Sequence, residues 1–333
     1  MMTKLALTTM GALAALALAA ASPAGAVDKV KFQLSWRPQA EHGCYYQAVA
    51  TGIYAKHDLD VTIQPGGPQI NTQQILVSGK VEFSMGSNSF NALNYVKQNI
   101  PMVIIATVFQ KNPAVIIAHP GVGHDSLEAL KGQPIFVSAI AKPTWWNFLR
   151  VKYGYTEDQM RPYTFNMAPF LADKMAAQQG FVTNEPYQIE KAGVKPNVFL
   201  LADYGYDDYA YTIETSRALA EKNPKLVQRF VDATIEGCYS YLNGDPEPGN
   251  KLILAANPQM SPDIIAYGIK SMKERKLMDG GDAAKMGIGA MTDARWKSFF
   301  EMTVKAGLYP ADMDYKKGYT LAFVNKGHGM MKK

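Results

Sequence analysis

Apolar residues alternate at Val30, Phe32 and Leu34, and the alternation breaks at Trp36-Arg37-Pro38. Apolar positions then recur at Tyr46, Val49, Ala50, Ile53 and Tyr54, the one-sided spacing of a helix, before Leu59-Asp60-Val61-Thr62-Ile63 alternates again. This order predicts strand, loop, helix, strand. Ligands of open α/β sheets sit at the loops that follow strand carboxyl ends, which is where Trp36, Arg37, Glu41 and His42 fall.

The rhythm continues along the chain. A short helix is expected at 70–78, a strand at 81–85 turning at Gly86-Ser87-Asn88, a helix at 90–96, and strands at 104–109 and 115–118 around Lys111-Asn112-Pro113. From Pro120 it restarts: a short helix at 126–130, a strand at 134–138, and a loop through Lys142-Pro143 into a helix at 144–153. Next come a strand at Tyr163-Thr164-Phe165, a helix at 169–178, an extended Phe181-Val182-Thr183 running into Asn184-Glu185-Pro186, and a strand at 198–201. Strand-helix alternation of this kind argues for a parallel sheet in each half, hence an α/β protein. After a strand at 209–215, helices dominate: 217–242, 246–256, 262–276 and 293–306, with the four glycines of 279–289 marking a flexible loop.

Composition adds limits. With 333 residues, 47% hydrophobic and 19% charged, the chain has room for two lobes. Residues 1–26 differ in kind: Lys4 precedes an Ala/Leu/Gly run ending at Ala24-Gly25-Ala26, the form of a cleaved secretory signal. No cysteine stands at that point to carry a lipid, so the product is expected in the periplasm. Cys44 and Cys238 are the only cysteines. An oxidising compartment permits a disulfide between them without requiring one, and two buried thiols are the equal alternative. The formal net charge is +5, without the Lys/Arg runs that nucleic acid binding needs.

The succession Ser35-Trp36-Arg37-Pro38, Glu41-His42-Gly43, Gly52-Ile53-Tyr54, Leu59-Asp60-Val61, Gly66-Gly67-Pro68 and Thr183-Asn184-Glu185-Pro186 resembles extracytoplasmic solute-binding proteins of ABC importers. It is most similar to the branch related to yeast thiamine-pyrimidine synthase and to binding proteins for formylaminopyrimidine thiamine precursors. Sulfonate, taurine and nitrate binders are more distant relatives. The resemblance implies a two-lobed periplasmic binding protein of type II with two crossover strands at the hinge. Lobe 1 would be 27–115 plus 211–333 and lobe 2 would be 116–210, closing on a ligand as a monomer that docks on an inner-membrane permease.

Candidate pocket residues follow from position. Trp36 either stacks on a planar ligand or fills the core. Glu41 and His42 offer hydrogen bonds, and Tyr46 opens a helix face that suits the core as well as the cleft. Gly67, in the Gly-Gly pair, either brings backbone amides to a ligand or simply turns the chain. Lys142, Thr144 and Trp145 mirror the Trp36 loop in the second half, with Thr144 also suited to capping the helix. Asn184 and Glu185 fit the edge of an aminopyrimidine, although Glu185 also suits a helix N-terminus. Ser87, Asn88 and Tyr209 complete the ring. An ionised Glu185 facing the ligand would disfavour an anion, so an aromatic acid or sulfonate is the second choice after a thiamine pyrimidine precursor.

The yeast enzyme resembled here carries a lysine and, four residues later, a histidine just past its third strand. Met85-Gly86-Ser87-Asn88-Ser89-Phe90-Asn91 holds neither, and Cys44 and Cys238 are solitary where that enzyme has a cysteine-rich iron site. A binding protein without cofactor or catalysis is therefore expected. A sensor that reports to a membrane receptor would share the fold.

Overall fold

The computed structural model describes residues 27–330 apart from 68 and 140; the leader expected at 1–26 lies outside the described residues. Among the described residues, ten strands form two five-stranded sheets. Strands β1 (Asp28–Gln33), β2 (Leu59–Gln64), β3 (Phe83–Asn88) and β4 (Met102–Phe109) belong to the first, β5 (Ala114–Ala118), β6 (Ile135–Val137), β7 (Met160–Pro162), β8 (Ala177–Phe181) and β9 (Asn197–Leu200) to the second, and β10 (Ala210–Ser216) returns to the first. The orders are β2-β1-β3-β10-β4 and β7-β6-β8-β5-β9. This is α/β, with each sheet fed by one strand that has crossed from the other.

Neither sheet is wholly parallel, which corrects the expectation from strand-helix alternation. β1 pairs with β2 and β3 in parallel, but β10 runs antiparallel to β3 and β4, and β5 runs antiparallel to β8 and β9. The reason lies in the connections. A helix returns the chain to the same end of a sheet, whereas the short links at 110–113 and 201–209 deliver β5 and β10 directly from the neighbouring sheet.

Three local expectations are also corrected. The strand placed at Tyr163-Thr164-Phe165 is instead β7, three residues earlier, and Phe165, outside it, has a positive φ of 62°, far from extended backbone. The helix expected at 169–178 stops early as Ala168–Ala172, and 177–181 is strand β8. The helix expected at 217–242 is two, Arg217–Lys222 and Pro224–Asn243, because Pro224 lacks the N–H a continuous helix needs, and Asn223 caps the second by accepting from the Leu226 N–H at 3.2 Å. Within 279–289 a helical turn, Ala283–Met286, precedes a bridge between Gly289 and Thr107 of β4.

The first sheet buries its apolar face against the helix Pro224–Asn243: Phe230 stacks on Phe83 with centroids 4.1 Å apart and on Tyr54 at 5.6 Å. That helix also crosses the helix Gly43–Ala50, where a disulfide joins Cys44 to Cys238 and resolves the alternatives the sequence left open. Glycines permit the approach. A Cβ on Gly237 would lie 2.4 Å from the Cys44 carbonyl oxygen, and one on Gly43 would lie 2.0 Å from the Tyr241 ring. Among the described residues no helix is long and apolar enough to cross a membrane.

Candidate functional site

The two sheets meet where the exit of β1 faces the exit of β8. After β1 the chain makes a short turn, Ala40–His42, that lies against the helix Pro262–Glu274 from the carboxyl-terminal half. After β8 it enters the helix Glu185–Lys191, which touches the same helix, with the Tyr187 and Tyr267 rings 5.2 Å apart. Sequence order therefore delivers Glu41 and His42 from one sheet and Thr183, Asn184 and Glu185 from the other to a common cleft.

Across it, the Thr183 hydroxyl donates to the Glu41 carboxylate, with both residues almost fully buried. Burial pushes Glu41 above the usual carboxylate range, and the Thr183 bond only partly offsets that. Glu185 accepts from the Phe181 N–H at 2.7 Å and from the Tyr163 hydroxyl at 3.4 Å. Burial, helped by the nearby Glu41 charge, raises it to about 7 in spite of those bonds. Two carboxyls thus share one poorly solvated region, where burial disfavours ionisation of both and the Glu41 charge further disfavours that of Glu185.

His42 is neutral there. Its Nδ1 accepts from the Gln39 N–H at 3.1 Å, so the proton sits on Nε2, and burial lowers its pKa to about 3. That Nε2 and the hydroxyls of Tyr45 and Tyr46 are buried without a hydrogen-bond partner. Unpaired buried donors are costly, and a polar ligand is one way to satisfy them. The His42 ring meets Tyr211 edge-on at 5.7 Å, and Tyr211 of β10, whose pKa is raised by burial with smaller contributions from Glu41 and Glu185, holds a φ of 50°. A bulky residue in this conformation is strained, and such strain clusters at functional sites.

Aromatic rings line the cleft mouth. Trp36, half-buried, packs its ring 4.9 Å from Phe165 of the second sheet's side, and Phe165 lies 5.3 Å from Tyr163. Phe165 is 47% exposed. The Gly66-Gly67 turn braces this loop, with the Gly66 N–H donating to the Trp36 carbonyl at 3.0 Å and the Gly67 carbonyl closing a turn with the Ile70 N–H.

The structure thus brings together Trp36, Glu41, His42 and Glu185, with Asn184 beside them, its side-chain oxygen accepting from Gln188 at 2.7 Å. Tyr46 is buried on the helix just beyond His42. Others lie apart. Lys142 faces outward in an ion pair with Glu157 at 2.9 Å, the Thr144 hydroxyl donates to the Ala141 carbonyl at 3.1 Å, and Trp145 packs into the second lobe's core beside Trp146. Ser87 is exposed at the end of β3, and the Asn88 side chain accepts from the Phe90 N–H at 3.1 Å.

Tyr209 immediately precedes β10, where the chain crosses back to the first sheet. Its hydroxyl donates to Asp282 at 2.9 Å and accepts from the Thr292 N–H at 3.0 Å, while the Arg295 guanidinium lies 4.1 Å from its ring centre. Next to it, buried Asp208 accepts from the Ser89 N–H and from Asn112 and Tyr206, tying both crossovers to the end of β3. No spacing in the sequence marks Tyr163, which bonds Glu185, Phe165, which packs on Trp36, or Tyr211, which meets His42. Only Thr183, inside a quoted motif, carried a signal.

The chain is similar to several proteins in sequence or in fold. The chain is 26% identical over 309 residues to the riboflavin-binding protein RibY of Chloroflexus aurantiacus, covering 90% of this chain and 87% of that protein. It is 23% identical over 253 residues to the formylaminopyrimidine-binding protein of Halalkalibacterium halodurans, covering 74% and 76%. The periplasmic aliphatic sulphonate binding protein SsuA of Escherichia coli superposes with a TM-score of 0.63 at 13% identity, covering 87% of this chain and 91% of that one, a likeness of fold. The NMT1/THI5 like family matches residues 39–248, more than half of the sequence, and the chain belongs to that family.

Proposed function

We propose that this chain is the extracytoplasmic substrate-binding component of an ABC importer, capturing a small planar nitrogen heterocycle by closure of two lobes. The observation that carries the reading is the cleft's double origin: the Trp36–Phe165 ring contact and the Glu41–Thr183 hydrogen bond each take one partner from either lobe. Contacts made to both lobes are what allows a ligand to select the closed form. In this proposal the lobes are 27–115 with 211–333, and 116–210; the protein works as a periplasmic monomer, hands its ligand to an inner-membrane permease, and neither catalyses nor carries a cofactor. The two named relatives bind heterocyclic molecules, which supports the same reading.

Each residue has a role. Trp36 and Phe165, whose rings touch across the lobes, form an aromatic edge on which a planar ligand packs, a burial that costs little side-chain entropy. Glu185, with a pKa of about 7, both accepts from a ring amine and, when protonated, donates to a ring nitrogen. The unpaired Nε2–H of His42 offers a further donor. A sulfonate calls for cationic and backbone donors, and here it would meet two carboxyls.

A thiamine pyrimidine precursor of the formylaminopyrimidine type is the leading candidate, and riboflavin is the second on the strength of the 26% relative. The test is a thermal-shift series on refolded, ligand-stripped protein with formylaminopyrimidine, riboflavin, an alkanesulfonate and an aromatic acid. A ligand at a hundred times its dissociation constant adds about 2.7 kcal/mol of stability. A shift with either heterocycle supports the proposal; a shift only with the sulfonate or the acid overturns it.

A further inference from the structure

Away from the cleft, three metal-ligating side chains from remote parts of the chain converge on the first lobe. His57 follows the helical turn Ile53–Lys56, Glu236 lies on the helix Pro224–Asn243, and His328 stands near the carboxyl end. The Nε2 atoms of His57 and His328 lie 3.0 and 2.8 Å from the same Glu236 oxygen, Oε1. The two imidazoles meet edge to face with centroids 6.3 Å apart, and all three ligand atoms fall within 4.8 Å of one another. The side chains are 20%, 35% and 32% exposed, so the cluster is shielded on one side and open to solvent on the other.

We propose that His57, Glu236 and His328 form a site for a divalent transition-metal ion of the zinc type. The ligand chemistry selects the class: two imidazoles and one carboxylate suit zinc, nickel or copper, whereas calcium and magnesium demand six or more oxygens. The spacing fits as well. Ligand atoms at about 2.0–2.2 Å from a tetrahedral ion stand roughly 3.3 Å apart, a few tenths of an ångström more than the two nitrogen–oxygen distances here. The solvent-facing side leaves the fourth position to water.

The fold gives the site a consequence. His328 belongs to the last described segment, which is otherwise held by contacts such as the Gly327 N–H to the Met286 carbonyl at 3.1 Å. An ion at this place joins that segment to the helix Pro224–Asn243 and to the turn before β2. Only the folded chain brings the three ligands together, so occupancy stabilises the fold.

The experiment uses tag-free protein stripped with a chelator and titrated with Zn2+ by calorimetry, alongside thermal unfolding with and without 100 µM Zn2+ as on the order of a hundredfold excess over a micromolar site. One ion per chain is expected, with a raised unfolding midpoint, and His57→Ala and His328→Ala are each expected to weaken the affinity at least tenfold. Circular dichroism and cooperative urea unfolding of the variants establish that they fold. Absence of Zn2+ binding overturns the proposal, as does unchanged stoichiometry and affinity in the folded double variant.

Discussion

The Thr183 hydroxyl donates to the Glu41 carboxylate across the cleft, joining a residue that follows β8 to one that follows β1, 142 positions earlier. Both are buried, at 2% and 1% exposure, so water does not compete for the bond. Thr183→Val keeps the shape and removes the donor. Leaving a buried acceptor unpaired costs about 1–3 kcal/mol, here drawn from the closed form. The variant is expected to bind ligand roughly tenfold or more weakly, by the same conversion, and to show a larger radius of gyration in solution scattering without ligand. Unchanged affinity and size would show that this bond does not hold the lobes together.

Stability should fall as pH rises through the acid-to-neutral range. Glu214 of β10 is fully buried, and burial raises its pKa from 4.5 to about 7 despite bonds from Asn91, Tyr95 and Thr212. The folded state therefore binds the proton more tightly than the unfolded state, and between pH 4.5 and about 7 it holds more protons. The protonated carboxyl's contribution is complete below the unfolded pKa and is lost as pH climbs through the folded one. Glu185, at about 7, and Asp208, at about 6, act in the same direction. Urea midpoints measured from pH 4.5 to 8 should decline in the native protein and decline less in Glu214→Gln; parallel slopes would contradict the assignment.

The Cys44–Cys238 disulfide closes a loop of 194 residues between two helices that glycines bring into close contact. Removing a native disulfide commonly costs about 2–5 kcal/mol, and long loops lie at the upper end of the entropic account. Chemical denaturation of the Cys44→Ala/Cys238→Ala variant should reveal a loss of that size, matched by reductant in the native protein. A loss well under 1 kcal/mol, by the same measure, would mean that the helix contact alone secures this corner.

Phe165 should trade stability for binding. Its φ of 62° is a strained position for an aromatic residue, and its ring is 47% exposed, so little core packing compensates. Glycine tolerates this conformation freely. Phe165→Gly is expected to keep or raise the unfolding midpoint while weakening ligand affinity by about 1 kcal/mol or more, the size of a lost aromatic contact. A lowered midpoint with intact affinity would place Phe165 among structural residues instead.

The first half of the cleft was legible because strand exits are a property of chain order: Trp36, Glu41 and His42 follow the alternating apolar run of β1. Before Glu185 the run expected to be extended, Phe181-Val182-Thr183, is the end of β8 and a turn. Other features depend on contacts that no spacing reveals. β8 reads Ala177-Gln178-Gln179-Gly180-Phe181, which lacks β-branched residues and alternation, and it is made a strand by β5 and β6 on either side. The antiparallel course of β5 and β10 depends on which sheet the crossovers reach. Trp145 resembles Trp36 in local context, yet its helix turns it into the second lobe's core, and Lys142 finds Glu157. Phe165 escaped because its role rests on a backbone conformation rather than on residue type.

The most direct measurement is isothermal titration of formylaminopyrimidine and of riboflavin into ligand-stripped protein, repeated with Trp36→Ala and Glu185→Gln. The account predicts that one of the two heterocycles binds one per chain and that each substitution weakens it about tenfold or more, as expected for a lost stacking contact or charged hydrogen bond, with the unfolding midpoint little changed. Tight binding that neither substitution alters, or binding of an alkanesulfonate alone, would contradict it.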